Sequence, residues 1–207
     1  MKHFFLFLVL SVLLFACKKD ELAFQLEGNI KSTINSSALE GVSVRFYVNS
    51  LGGGVKKFKT STKTDGSGHF NASVERNKFE SLVISVEKNL YFKKEKVISF
   101  SDLTTDGKNT ANFSMNAESW TKFILKNNQP QASDELKILK NLGKTDCNTC
   151  CPNTYSYYTG AIDTSFLCPN NGNQYMRFHY WVNGNESHEL DSVYNTPFDT
   201  VSYTINY

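Results

Sequence analysis

The sequence predicts an all-β chain of two modules: an N-terminal β-sandwich, then a second β-sandwich or sheet stapled by disulfides. Three observations predict it. Apolar and polar residues alternate with period two in several segments, the pattern of a strand with one buried face. Asp-Gly and Gly-Gly pairs punctuate those segments at hairpin spacing. Phe, Tyr, Val, Thr and Ser are plentiful, while long stretches of helical periodicity are scarce.

Taken in order, the first module runs from 24 to 116. Strands are expected near 24–32, 41–49, 55–63, 69–75, 81–88, 94–100 and 109–116. In the second, Val42, Val44, Phe46 and Val48 alternate with Ser43, Arg45 and Tyr47. In the last, Ala111, Phe113 and Met115 alternate with Asn112 and Ser114. Turns fall at Leu51-Gly52-Gly53-Gly54, Asp65-Gly66-Ser67-Gly68 and Asp106-Gly107, where glycine supplies positive φ at little cost. Seven short strands at this spacing read as a sandwich. Asp65 lacks the further oxygen ligands and closing Glu of a calcium loop, so it reads as a turn residue.

The second module, 117–207, opens with a strand through Trp120, Lys122 and Ile124, broken at Asn127-Asn128-Gln129-Pro130. Leu136, Ile138 and Leu139 follow, and Gly143 closes that segment. Met176, Phe178, Tyr180 and Val182 alternate with Tyr175, Arg177, His179 and Trp181; Val201, Tyr203, Ile205 and Tyr207 alternate with Ser202, Thr204 and Asn206. Between these lies a loop, 146–171, rich in Asn, Thr, Tyr and Pro.

That loop holds Cys147, Cys150, Cys151 and Cys168. In an extracytoplasmic chain four cysteines are disulfide candidates with three possible pairings. A bond between the adjacent Cys150 and Cys151 is disfavoured. Cys168 is expected to pair with one member of the cluster, with Cys147 in the other bond. Cys147-Asn148-Thr149-Cys150 also has redox spacing, but no helical pattern follows to lower a thiol pKa. A zinc knuckle would need a second partner near Cys168. No metal or cofactor is expected. His69, His179 and His188 are scattered, and no nucleophile elbow, zinc-protease helix or phosphate loop is present, so no catalytic residue is assigned. The chain carries 22 basic and 20 acidic residues, a balance that disfavours nucleic acid as a partner. Tyr155, Tyr157, Tyr158 and Trp181 are the binding candidates, because exposed aromatics stack on sugar rings and anchor protein partners.

The start of the chain carries an address. Residues 4–16 are apolar but for Ser11 and are too short to span a bilayer, which takes about 20. Lys2 precedes them and Ala16 ends them, as in a secretory signal. Leu14-Phe15-Ala16-Cys17 resembles a bacterial lipobox. The resemblance implies a signal peptide at 1–16, lipidation at Cys17 with more than one acyl chain, and a tether at 17–23. Lys18-Lys19-Asp20-Glu21 resembles the export signal of Bacteroidota surface lipoproteins, which implies an outer-membrane, cell-surface location. Asp191-Ser192-Val193 and Asp199-Thr200-Val201 resemble O-glycosylation acceptors of that phylum.

A second resemblance rests on Gly28-Asn29-Ile30, Leu39-Glu40-Gly41-Val42, Thr64-Asp65-Gly66-Ser67-Gly68-His69-Phe70 and Leu82-Val83-Ile84-Ser85-Val86. This order is similar to the carboxypeptidase regulatory-like domain, a transthyretin-like sandwich of seven strands. Tyr91 stands where that family has a tyrosine after the fifth strand, with Leu90 in place of the usual glycine. The resemblance implies a spacer or adhesive module. The expectation is therefore a non-catalytic envelope lipoprotein that binds a glycan or an envelope protein, or else serves as a structural spacer; a thiol-redox enzyme is the remaining alternative.

Overall fold

The computed structural model describes residues 22–147, 149–184 and 189–207. The signal segment, Cys17, the motif Lys18–Glu21 and His188 lie outside the described residues.

The chain is all-β. Its first eight strands are β1 (Ala23–Ser32), β2 (Ser43–Asn49), β3 (Lys56–Lys63), β4 (His69–Glu75), β5 (Ser81–Lys88), β6 (Tyr91–Ser99), β7 (Lys108–Thr110) and β8 (Phe113–Met115). One sheet has the order β4-β1-β7, with β8 also pairing β1; the other has the order β3-β2-β5-β6. β1 is antiparallel to β4 but parallel to β7 and β8. The inward faces form one core, with Phe24, Leu26 and Ile30 from β1 meeting Val44, Phe46 and Val48 from β2 and Leu82, Ile84 and Val86 from β5.

The strand expected at 109–116 is two strands. At the break the Ala111 N–H donates to the Glu27 carbonyl at 2.8 Å, and the Asn112 side-chain oxygen accepts the Asn29 N–H at 2.8 Å. The ladder continues past the break through a side chain. Gly28 permits this, since a Cβ there would lie 1.9 Å from the Ala111 carbonyl oxygen.

The Thr64–Gly68 turn is closed by its own polar groups. One Asp65 carboxylate oxygen accepts the Ser67 N–H (2.9 Å), the Ser67 hydroxyl (2.7 Å) and the His69 N–H (2.9 Å). The Thr64 hydroxyl donates to the Leu39 carbonyl and accepts the Val42 N–H. At the β5–β6 hairpin, Leu90 adopts φ 64°, so a leucine occupies the left-handed conformation usually left to glycine.

The second module has β9 (Glu118–Lys126), β10 (Glu135–Leu142), β11 (Tyr155–Thr159), β12 (Asp163–Asn171), β13 (Gln174–Val182), β14 (Glu189–Asn195) and β15 (Thr200–Asn206). Its two sheets have the orders β11-β10-β13-β14 and β12-β9-β15. β15 runs parallel to β9. Phe123, Leu125, Leu136, Ile138, Met176, Phe178 and Ile205 fill the space between them.

Two expectations need correction here. The segment 146–171 is not one loop, because β11 and the whole of β12 lie within it. Pro169 did not exclude a strand: β12 is an edge strand, where a missing N–H costs no ladder bond on the open side. β9 also buries the opposite face from the one suggested by Trp120, Lys122 and Ile124. Ser119, Thr121, Phe123 and Leu125 point inward. The two buried hydroxyls are satisfied by asparagines. The Asn195 amide donates to Thr121 Oγ1 at 2.9 Å, Asn170 donates to Asn195 Oδ1 at 2.7 Å, and Ser119 donates to the Asn170 carbonyl at 3.2 Å.

The modules meet end to end at a hydrogen-bonded junction. Glu118 N–H donates to the Leu90 carbonyl, Gly172 N–H to that of Ala117, and Phe198 N–H to that of Glu118. The Tyr91 and Phe198 rings meet edge to face, centroids 5.3 Å apart.

Candidate binding face

β10, β11 and β13 bring three of the four aromatic candidates onto one solvent-facing surface. Tyr155 and Tyr157 are alternate residues of β11, and Trp181 stands on β13. Between those strands, Lys137 on β10 is paired with both Tyr157 and Trp181. The Lys137 ammonium lies 4.3 Å from the centre of the Trp181 ring and 5.0 Å from that of Tyr155, within cation–π range. The Tyr155 ring meets Trp181 edge to face at 5.7 Å and lies 6.1 Å from Tyr157. His179 stacks on Trp181 at 5.9 Å, and its Nε2 is 3.0 Å from the Asn141 amide. Further along the same face, Arg177 is exposed and Tyr175 meets Tyr194 at 5.2 Å.

Tyr158 belongs elsewhere. The period of a strand turns it inward, where it stacks on Phe166 at 5.9 Å and 13°. Burial pushes its phenol above the ordinary pKa. It forms the wall of a cavity of about 130 Å³ with Phe166, Phe178, Ser156, Cys151 and Lys140. The sequence reading missed Lys137 and His179. The available signal was the run Tyr175, Arg177, His179, Trp181, four large side chains on the polar side of one alternating strand.

The structure pairs Cys147 with Cys150 and Cys151 with Cys168. The second bond ties the segment after β10 to β12 across 17 positions. Lys140 braces the same segment: its buried ammonium donates to the Lys144 carbonyl at 2.6 Å and to the Cys151 carbonyl. Desolvation lowers its pKa. Among the described residues, no group of three or more His, Cys, Asp or Glu is placed to hold a metal ion. Both hydroxyls of the proposed glycosylation acceptors, Ser192 and Thr200, belong to exposed strand residues.

No protein-family model matches the chain, and no curated protein matches it. Among solved structures, it is similar to the TIE protein of Bacillus anthracis, with 13% identity and a TM-score of 0.39 over 89% of this chain and 34% of that one. It is similar to a streptococcal ancillary pilin, with 9% identity and a TM-score of 0.37 over 90% of this chain and 63% of that one. A third is the shaft pilin SpaA of Lactobacillus rhamnosus GG, with 8% identity and a TM-score of 0.36 over 89% and 97%. The chain thus spans about a third of the first and under two thirds of the second. Likeness at this level carries no functional argument.

Proposed function

We propose that this chain is a non-catalytic, lipid-anchored module of the bacterial outer membrane that binds a glycan through the outer face of its second sandwich. The observation that carries this reading is the row Tyr157, Tyr155, Lys137 and Trp181. Aromatic rings offer flat apolar faces to the C–H bonds of a sugar, and a lysine among them supplies hydrogen-bond donors and a positive charge. Arg177 and His179 extend the row with more donors. Cys17 is the lipid anchor in this reading. The first sandwich is the regulatory-like domain, which lifts the binding face from the membrane. Its pairing of last strand to first and the tight Asp65 turn support that assignment.

The test is a glycan array probed with residues 18–207. Binding to a sugar class should fall at least about tenfold in Trp181→Ala or Tyr157→Ala, a loss on the scale of one binding hot spot. Tyr158→Phe, which alters the inner wall, should leave affinity unchanged. An array without any binding overturns the glycan reading. The firm junction between the modules favours a second reading, a rigid spacer in an envelope complex. Crosslinking on intact cells that yields one dominant protein partner, lost in junction variants but retained in Trp181→Ala, would select it.

A further inference from the structure

The first sandwich has two unlike ends. At one end β1 begins, β4 finishes, and the β2–β3 hairpin turns. The Arg76 N–H donates to the Leu22 carbonyl, the Glu80 N–H to that of Asn49, and the Phe100 N–H to that of Glu80, which fixes these segments side by side. The other end carries Leu90 and the junction to the second module.

Exposed large apolar side chains are distributed unequally between those ends. Among the described residues, the first module exposes six: Leu22 at 57%, Leu51 at 62%, Val55 at 78%, Phe58 at 57%, Val97 at 62% and Leu90 at 41%. All but Leu90 gather in the half where β1 begins. Leu51 and Val55 flank the tip of the β2–β3 hairpin. Phe58 and Val97 lie one row in from it, on the outer face of the same sheet, in register with Tyr47 and Val83. An exposed apolar cluster of this kind marks an interaction surface.

The position of Leu22 indicates what covers it. Leu22 is at the same end, and only five peptide steps separate it from Cys17. Fully extended, those steps reach about 18 Å. A lipid on Cys17 therefore holds this end, and not the binding face, against the bilayer. Lys57, Lys59, Arg76, Lys78 and Lys96 stand around the cluster with Glu75, Glu80 and Asp102, a small cationic excess, while Lys56 is paired with Glu95 at 2.9 Å. The contact is led by the exposed apolar side chains, which a zwitterionic interface can take up. Lys56 and Lys57, directly after Val55, have stems long enough to keep their charges in the headgroup layer.

We propose that the tip of the β2–β3 hairpin, led by Leu51 and Val55, is a second membrane-contact element that enters the lipid interface beside the anchor. The inference rests on reading Cys17 as the anchor site. It implies that the first sandwich stands in a fixed orientation, with the second module and its aromatic face directed outward.

The test separates the two ideas. Residues 17–207, with their two disulfides closed, are coupled through the Cys17 thiol to maleimide-bearing lipid in phosphatidylcholine vesicles. This reproduces the tether whether or not a cell acylates it. In vesicles containing acyl-chain-brominated phosphatidylcholine, a tryptophan introduced by Leu51→Trp should lose about half its emission, as expected for a residue in the interface. Trp120 and Trp181 of the parent chain should keep theirs. Hydrogen exchange at residues 51–57 should slow on vesicles in the parent chain and remain fast in a variant with Leu51→Asp and Val55→Asp. Unchanged emission, or equal exchange in both chains, overturns the proposal. The mass of Cys17 in protein taken from its native membrane decides the anchor reading by itself, because an unmodified thiol refutes the anchor whatever the vesicles show.

Discussion

Asp65 and Asp134 each close a turn through a carboxylate that accepts three hydrogen bonds. Asp65 is held below its ordinary pKa first by the Ser67 hydroxyl and then by the His69 N–H; Asp134 first by the Asn127 amide, then by the Gln131 N–H and the Asn183 amide. A depressed carboxylate stabilises the fold above its unfolded pKa, near 3.8, and that contribution fades as pH falls through the lower folded value. Urea midpoints taken from pH 6 down to 2.5 should therefore fall, and less steeply in Asp65→Asn and Asp134→Asn than in the parent. Leu90 sits at φ 64°, a conformation that costs an ordinary residue about 1–2 kcal/mol. Glycine would relieve that cost while losing about 0.5–1 kcal/mol of chain entropy, so Leu90→Gly should be neutral or stabilising by up to about 1 kcal/mol in urea unfolding. Gly68→Ala should do the opposite, because its Cβ would meet the Ile30 carbonyl oxygen at 2.6 Å.

Among the elements, alternation was readable wherever buried positions were apolar, as in β2, β13 and β15. It failed in β9, where Ser119 and Thr121 face inward. A hydroxyl can be buried only when paired, and its partners, Asn170 and Asn195, stand about 50 and 75 positions away in the sequence, where asparagine reads as a turn residue. Replacing Asn195 by alanine should remove two of these bonds and strand Thr121. The expected cost is about 2–3 kcal/mol by chemical denaturation. β11 and β12 were hidden for another reason. Edge strands need only one paired side, so they tolerate Pro169 and a polar, tyrosine-rich composition that resembles a loop. The candidate face was half legible for the same reason: β13 showed its four outward side chains, whereas the Tyr155 and Tyr157 neighbours depend on a strand that composition concealed. The disulfides divide the same region unequally. Closing a 17-position separation contributes about 3 kcal/mol in the chain-entropy account, and a separation of three roughly half that. Cys151→Ser with Cys168→Ser should therefore lower stability about twice as much as Cys147→Ser with Cys150→Ser.

The described residues form two cores with one junction, and the cooperativity of the fold depends on that junction. Phe198→Ala removes the ring that meets Tyr91 while leaving both cores untouched. Calorimetry should then show two transitions drawn further apart than in the parent chain. The parallel strands have a mechanical consequence. β1 enters at the end where Leu22 lies, and β8, its parallel neighbour, leaves at the opposite end toward the second module. A pull between the two ends of the first sandwich drags β1 and β8 past each other lengthwise. All their cross-strand bonds then bear the load together, whereas a hairpin pulled apart at its open end breaks its bonds one at a time. β9 and β15 repeat the geometry in the second module. A tug on the outermost strand would thus be resisted by two shear clamps in series, with the weaker one setting the force at which the chain gives way.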